Sequence, residues 1–209
     1  MTEARAFPAD WLPPSLEGPA SDLDLVVLLL NSLDLLANPA DRLVDLGWYR
    51  AALRQAGHGA LADELAEDCL PDLRRLREDL RTVFESQDPA VAADLLNERL
   101  RRADAVPLLV PGDAGLRLAV APDRTGYAAL AARLPAALAA FVAQHGLARL
   151  GVCGSDPCRC AFLDRTRAGT RRYCCGWCND RHAARAYRRR RAQDRAGDPT
   201  SAGSGHAGP

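Results

Sequence analysis

Leucines recur at helical spacing through the first half of the chain, and the predicted elements follow from where that rhythm starts and stops. Ser21 can cap a helix running to about Ala37, and Leu25, Val26, Leu28, Leu29, Leu30, Leu33 and Leu36 surround most of it. A helix that apolar on every side belongs at the centre of a core. Asn38-Pro39, a capping side chain followed by proline, predicts a second helix with Leu43, Leu46, Tyr49 and Leu53 on one face, ended by Gly57 or Gly59. A third segment, Leu61 to about Ser86, is reset by Pro71 and keeps its period through Leu73, Leu76, Leu80, Val83 and Phe84. Asp88-Pro89 repeats the cap-plus-proline start for a helix through Leu95, Leu96 and Leu100 to about Ala105.

The period then changes. Val106 to Val110 and Leu116 to Val120 flank the turn-forming stretch Pro111 to Gly115, which predicts a β-hairpin. A last helix spans roughly Thr125 to Gln144, with Pro135 inside it to kink or split it and Gly146 to end it. Residues 1–20 hold four prolines around Phe7 and Trp11 and read as an irregular arm, while residues 196–209 are a polar, small-residue tail expected to be disordered. The expected fold class is mainly α, formally α+β. A helical domain with one small hairpin occupies residues 21–148, and a second module occupies residues 149–195.

Charge supports that division. The net charge of zero hides 14 arginines against 22 acids in residues 1–148, and 13 arginines against 4 aspartates in residues 149–195. Two parts of opposite sign point to two jobs. The first residues carry no basic region ahead of an apolar stretch, and the run from Leu23 to Leu36 is broken by polar residues and too short to span a bilayer. These features predict a cytoplasmic, nucleoid-associated protein with no membrane partner.

Six of the seven cysteines lie in the basic module. They resolve into Cys153-x4-Cys158 and Cys174-x3-Cys178, separated by fifteen residues, which is how one chain wraps a tetrahedral metal. Cys160 is too close to Cys158, and Cys175 adjoins Cys174, so Cys153, Cys158, Cys174 and Cys178 are the expected ligands of one Zn²⁺. Four thiolates close the coordination sphere, so the ion is structural.

Beyond Cys178 the chain becomes a run of arginines. On a helix, Arg181, Arg185 and Arg188 form one stripe, extended by Arg189, Arg190 and Arg191. Like charges at that spacing destabilise a lone helix, so a polyanion is the natural partner, double-stranded DNA before all others. Arg171 and Arg172 either join that surface or balance the charge of the zinc-thiolate centre. RNA is disfavoured, because Tyr187 is the single aromatic within the basic helix.

These residues resemble the CGNR zinc finger. The match covers Cys153, Cys158, Phe162, Asp164, Thr166, Arg167, Arg171, Arg172, Tyr173, Cys174, Cys178, Arg181, Tyr187 and Arg188, with Asn179 one place early. The name motif departs here to Cys178-Asn179-Asp180-Arg181, and Cys175 stands where the family often has serine. In that family the finger follows an ABATE domain, and Leu30-Asn31-Ser32-Leu33-Asp34 resembles the Leu-Asn-Thr-x-Asp signature of that domain. The resemblance implies a stress-induced transcriptional regulator, in which the helical domain senses an effector or forms a homodimer and the finger binds DNA. Asn31 and Asp34 are candidates to line a small-molecule effector pocket, or to cap a neighbouring segment. The rival function is a zinc knuckle that docks on an acidic protein. The scattered histidines (58, 145, 182 and 206) and the lack of phosphate-loop or paired-carboxylate motifs give an enzyme no support.

Overall fold

Ser21 starts the first helix in the expected way. Its hydroxyl accepts from the Asp24 amide while the Asp24 carboxylate accepts from the Ser21 amide, a reciprocal cap on α1 (Asp22–Leu30). The computed structural model describes residues 20–86, 88–112 and 115–196. The expected arm before Ala20, the tail beyond Ala196 and residues 113–114 of the hairpin turn lie outside the described residues.

Two expectations about the helices are corrected. α1 stops at Leu30 rather than near Ala37, and no helix starts at Pro39; the second helix, α2, runs Gly47–Gln55. Short polar side chains take backbone groups that a helix would need. Asp34, Asp41 and Asp45 accept from the amides of Leu36, Leu43 and Gly47, and Asp34 and Arg42 donate their own amides to Ala40 and Ser32. Leu43, Leu46, Tyr49 and Leu53 are all buried as the apolar period required, the first two from a loop.

The next segment divides into α3 (Gly59–Asp63), a short 3₁₀ turn (Glu67–Cys69) and α4 (Leu70–Glu85), with Pro71 in the first turn of α4. α5 (Pro89–Arg102) is capped by Asp88, whose carboxylate accepts from the Ala90 amide. Then come β1 (Pro107–Gly112) and β2 (Gly115–Val120), antiparallel and joined across a two-residue loop. α6 (Gly126–His145) passes through Pro135 as one helix and ends at Gly146, whose φ of 79° suits only glycine well. By length and composition α6 could cross a membrane, but it packs against α1 and α5 and contributes Ala129, Leu130, Leu134 and Leu138 to the core.

α1 is central: α2, α4 and α6 pack around it. A second antiparallel pair, β3 (Leu150–Val152) and β4 (Ala161–Leu163), leads into a final helix, α7 (Gly176–Ala196). Each of these strands is three residues long, too short for an alternation signal. Leu150, Ala161 and Leu163 sit in the same buried cluster as α1 and α4, while Phe162 turns to the cysteine side.

Candidate metal centre and its arginine helix

β3 delivers Cys153, and the chain folds back at once, so that the Cys153 amide reaches the Cys160 carbonyl and the Cys158 amide reaches that of Ser155. β4 carries the chain away, and a loop returns it to Cys174, whose amide points at the Cys153 sulfur at 3.4 Å. The first turn of α7 supplies Cys178. All four thiols are buried, and their sulfur atoms lie within 4.8 Å of one another. Cys158 Sγ is 3.8 Å from Cys174 Sγ, which is 3.6 Å from Cys178 Sγ. A zinc–sulfur bond of about 2.3 Å sets tetrahedral S···S edges of about 3.8 Å, so these spacings fit one zinc ion.

The electrostatics also call for a cation. The thiols of Cys153, Cys160 and Cys174 gather around the Cys158 sulfur and hold its pKa far below the ordinary thiol range, while burial and the nearby Cys158 charge raise that of Cys178. Four thiolates cannot share so small a volume without a divalent ion among them. The two spare thiols lie beside the four: Cys160 is buried with its sulfur 4.0 Å from Asp34 Oδ1, and Cys175 Sγ is 3.9 Å from Cys174 Sγ.

The loop between the knuckles is organised by Asp164, which is buried. It accepts from the Thr166 amide and hydroxyl and from the Arg171 amide. Burial works against its charge, but those bonds win and hold its pKa below the usual carboxylate range. Phe162 lies flat against Gly151 of β3, where a Cβ would come within 2.3 Å of the ring, so glycine is required there. Arg171 sits over that ring, 5.0 Å from its centre, and donates to the carbonyls of Tyr173 and Cys174.

The six arginines expected to meet nucleic acid divide into two sets. Arg171, Arg181 and Arg185 are engaged inside the module: Arg181 donates to the Ser155 carbonyl and hydroxyl and stacks on Trp177, and Arg185 donates to Asp156. They lash α7 and the inter-knuckle loop to the cysteine centre. Arg172, Arg188 and Arg189 are exposed and have no side-chain partner among the described residues.

Asn31 and Asp34 meet the module too. Asn31 is fully buried at the end of α1, with its amide oxygen accepting from the Ala161 amide and its amide nitrogen donating to the Ala161 carbonyl. Asp34 is buried beside Cys160, with Arg42 3.9 Å away. Three more contacts join the parts: Arg81 donates to the carbonyls of Leu30 and Arg159, Arg165 pairs with Asp24, and Arg159 pairs with Glu85. Sequence reasoning missed Arg81. Its signal was there, an arginine four residues after Arg77 on the apolar face of α4, where a charge needs a buried partner.

A family model described as "ABATE: Putative stress-induced transcription regulator" matches residues 23–145. The chain belongs to the ABATE family. A second model, the CGNR zinc finger, matches residues 149–191, so the ABATE region and the finger follow one another as the resemblance implied. No curated protein matches the chain. Within this ABATE protein the altered name motif has a geometric reading: Arg181 secures α7 to Ser155, while Asn179 is exposed and its side-chain amide donates to its neighbour Asp180. Neither matched family is an enzyme family.

Proposed function

We propose that this ABATE protein is a zinc-dependent, DNA-binding transcriptional regulator of the bacterial cytoplasm. Cys153, Cys158, Cys174 and Cys178 hold one structural zinc, whose closed sphere leaves no position for substrate. The zinc seats the start of α7, Arg181 and Arg185 fix its direction, and Arg188 and Arg189, with Arg172 beside the knuckle, meet the phosphate backbone. The ABATE domain serves as the sensor or dimerisation unit.

One observation carries this reading. Arg188, Arg189 and Arg190 stand consecutively on the exposed outer half of α7 with no acidic partner among the described residues, whereas arginines elsewhere in the chain, such as Arg77, Arg133 and Arg165, are paired with acids. Unneutralised cations crowded on one helix repel each other, and a row of phosphates relieves that repulsion while releasing counterions.

The test is selection of bound duplexes from a random DNA pool by the zinc-loaded full chain at near-physiological salt. Enrichment of a defined motif is the expected result. Recovery without enrichment would reduce the arginines to backbone contacts. No recovery by zinc-loaded protein would overturn the reading in favour of a zinc knuckle that docks on an acidic protein.

A further inference from the structure

The β1–β2 hairpin holds the most exposed of the large apolar side chains among the described residues. Leu109 and Leu118 are each 67% exposed and Leu116 is 74% exposed. The register pairs Pro107 with Val120, Leu109 with Leu118 and Pro111 with Leu116, so all six lie on one face of the ribbon, and none is charged. A face of that kind on a two-stranded sheet is incomplete in water.

The two edges of the ribbon differ. The Ala121 amide bonds to the Val106 carbonyl, which makes 106/121 a hydrogen-bonded pair. By alternation, residues 107, 109 and 111 of β1 and residues 116, 118 and 120 of β2 turn their backbone groups outward. On β1 two of those three are prolines and offer no N–H, so that edge is blunted. On β2 they are Leu116, Leu118 and Val120, and all three N–H groups have no partner among the described residues. Beside β2 runs a groove of about 370 Å³, lined by residues 117–122, by Asp22 and Arg124, and by Arg133, Ala136, Ala137 and Ala140 of α6, but by no residue of β1. The groove therefore flanks the outward edge of β2, between that strand and α6.

We propose that this edge pairs with the same edge of a second copy of the chain, giving a four-stranded antiparallel sheet β1-β2-β2-β1 about a twofold axis at Leu118. That register sets Leu118 against Leu118 of the partner subunit, Leu116 against Val120 of the partner subunit, and Arg117 against Ala119 of the partner subunit. Apolar residues meet apolar residues, and the only charge in β2 never faces its own copy. A shift of the axis by one residue to Arg117 would oppose two arginines, so charge selects the register.

The proposal rests on the regulator reading only for its purpose, two basic helices presented to two half-sites, and its test needs no DNA. Sedimentation of the zinc-loaded full chain across low to high micromolar concentration should show a monomer–dimer equilibrium. Leu118→Lys, which places two ammonium groups on the axis, should be monomeric throughout, while Leu109→Lys, on the same face but on the blunted strand, should still dimerise. In the wild-type chain, exchange of the Leu116, Leu118 and Val120 amides should slow only as the dimer forms. A wild-type chain monomeric at every concentration, a dimer indifferent to Leu118→Lys, or those three amides exchanging equally fast in both states would overturn the proposal. Failure of the DNA selection would leave these outcomes untouched.

Discussion

Asn31 and Ala161, 130 positions apart, are joined by two hydrogen bonds: the Ala161 amide donates to Asn31 Oδ1 at 2.7 Å, and Asn31 Nδ2 donates to the Ala161 carbonyl at 3.0 Å. One side-chain amide thus stands in for a neighbouring strand along β4, the strand that separates Cys160 from the inter-knuckle loop. Replacing Asn31 with leucine leaves both Ala161 groups buried and unpaired, at about 1–3 kcal/mol each. Denaturant unfolding should show a loss of about 3 kcal/mol, and chelator competition should show zinc held about tenfold less tightly. Unchanged stability would mean that Asn31 serves something other than this clasp.

The sequence alone would have Cys174→Ser unfold the zinc module and leave the helical domain untouched. Leu150, Ala161 and Leu163 belong to the buried cluster built around α1, and Arg81 bridges Leu30 and Arg159. We therefore expect calorimetry of Cys174→Ser to show the main melting transition of the whole chain shifted downward, along with loss of bound zinc in a metal assay. Chelation of zinc from the wild-type chain should produce the same downward shift. A separate transition that vanishes while the main one stays in place would make the two parts independent.

Acid should loosen the loop after α1. Arg77 is buried and donates two hydrogen bonds to Asp41, at 2.7 and 2.8 Å, which hold the Asp41 carboxyl below its ordinary pKa. A carboxylate depressed in the folded state contributes its full stability above the unfolded value, about pH 4, and loses it as pH falls through the lower folded value. Stability followed by urea titration should drop in that window. Asp41→Asn should remove that part of the drop and cost about 2 kcal/mol at neutral pH, less than a fully buried pair would because Asp41 is partly exposed. An unaltered acid limb in Asp41→Asn would locate the pH sensitivity elsewhere.

The two sets of arginines should respond differently to mutation. Arg188→Ala or Arg189→Ala should weaken DNA binding, lower the slope of log affinity against log salt by about one, and leave the melting temperature alone. Arg181→Ala releases Ser155 and uncovers Trp177, so it should lower thermal stability as well as affinity. Fluorescence anisotropy over a salt series, beside melting curves, separates the two. Equal melting losses for Arg181→Ala and Arg189→Ala would remove the distinction.

Much of this protein was settled by local sequence. The Ser21 cap, the Asp88-Pro89 start, the apolar periods of α4 and α5, the hairpin and each of the two cysteine pairs depend on residues close together in the chain, and each appears in the structure. The early end of α1 and the late start of α2 were hidden because Asp34, Asp41 and Asp45 chose backbone partners over helix continuation, and periodicity does not register that competition. Tertiary structure alone decided the roles of polar residues with distant partners. Only the packed fold brings Asn31 to Ala161, Arg81 to Arg159 and Asp24 to Arg165, and only the turn at Ser155 draws Arg181 inward while Arg188 and Arg189 stay in solvent. Short-range preference specifies elements and metal spacing; a buried hydrogen bond between residues a hundred positions apart exists only once the chain has folded.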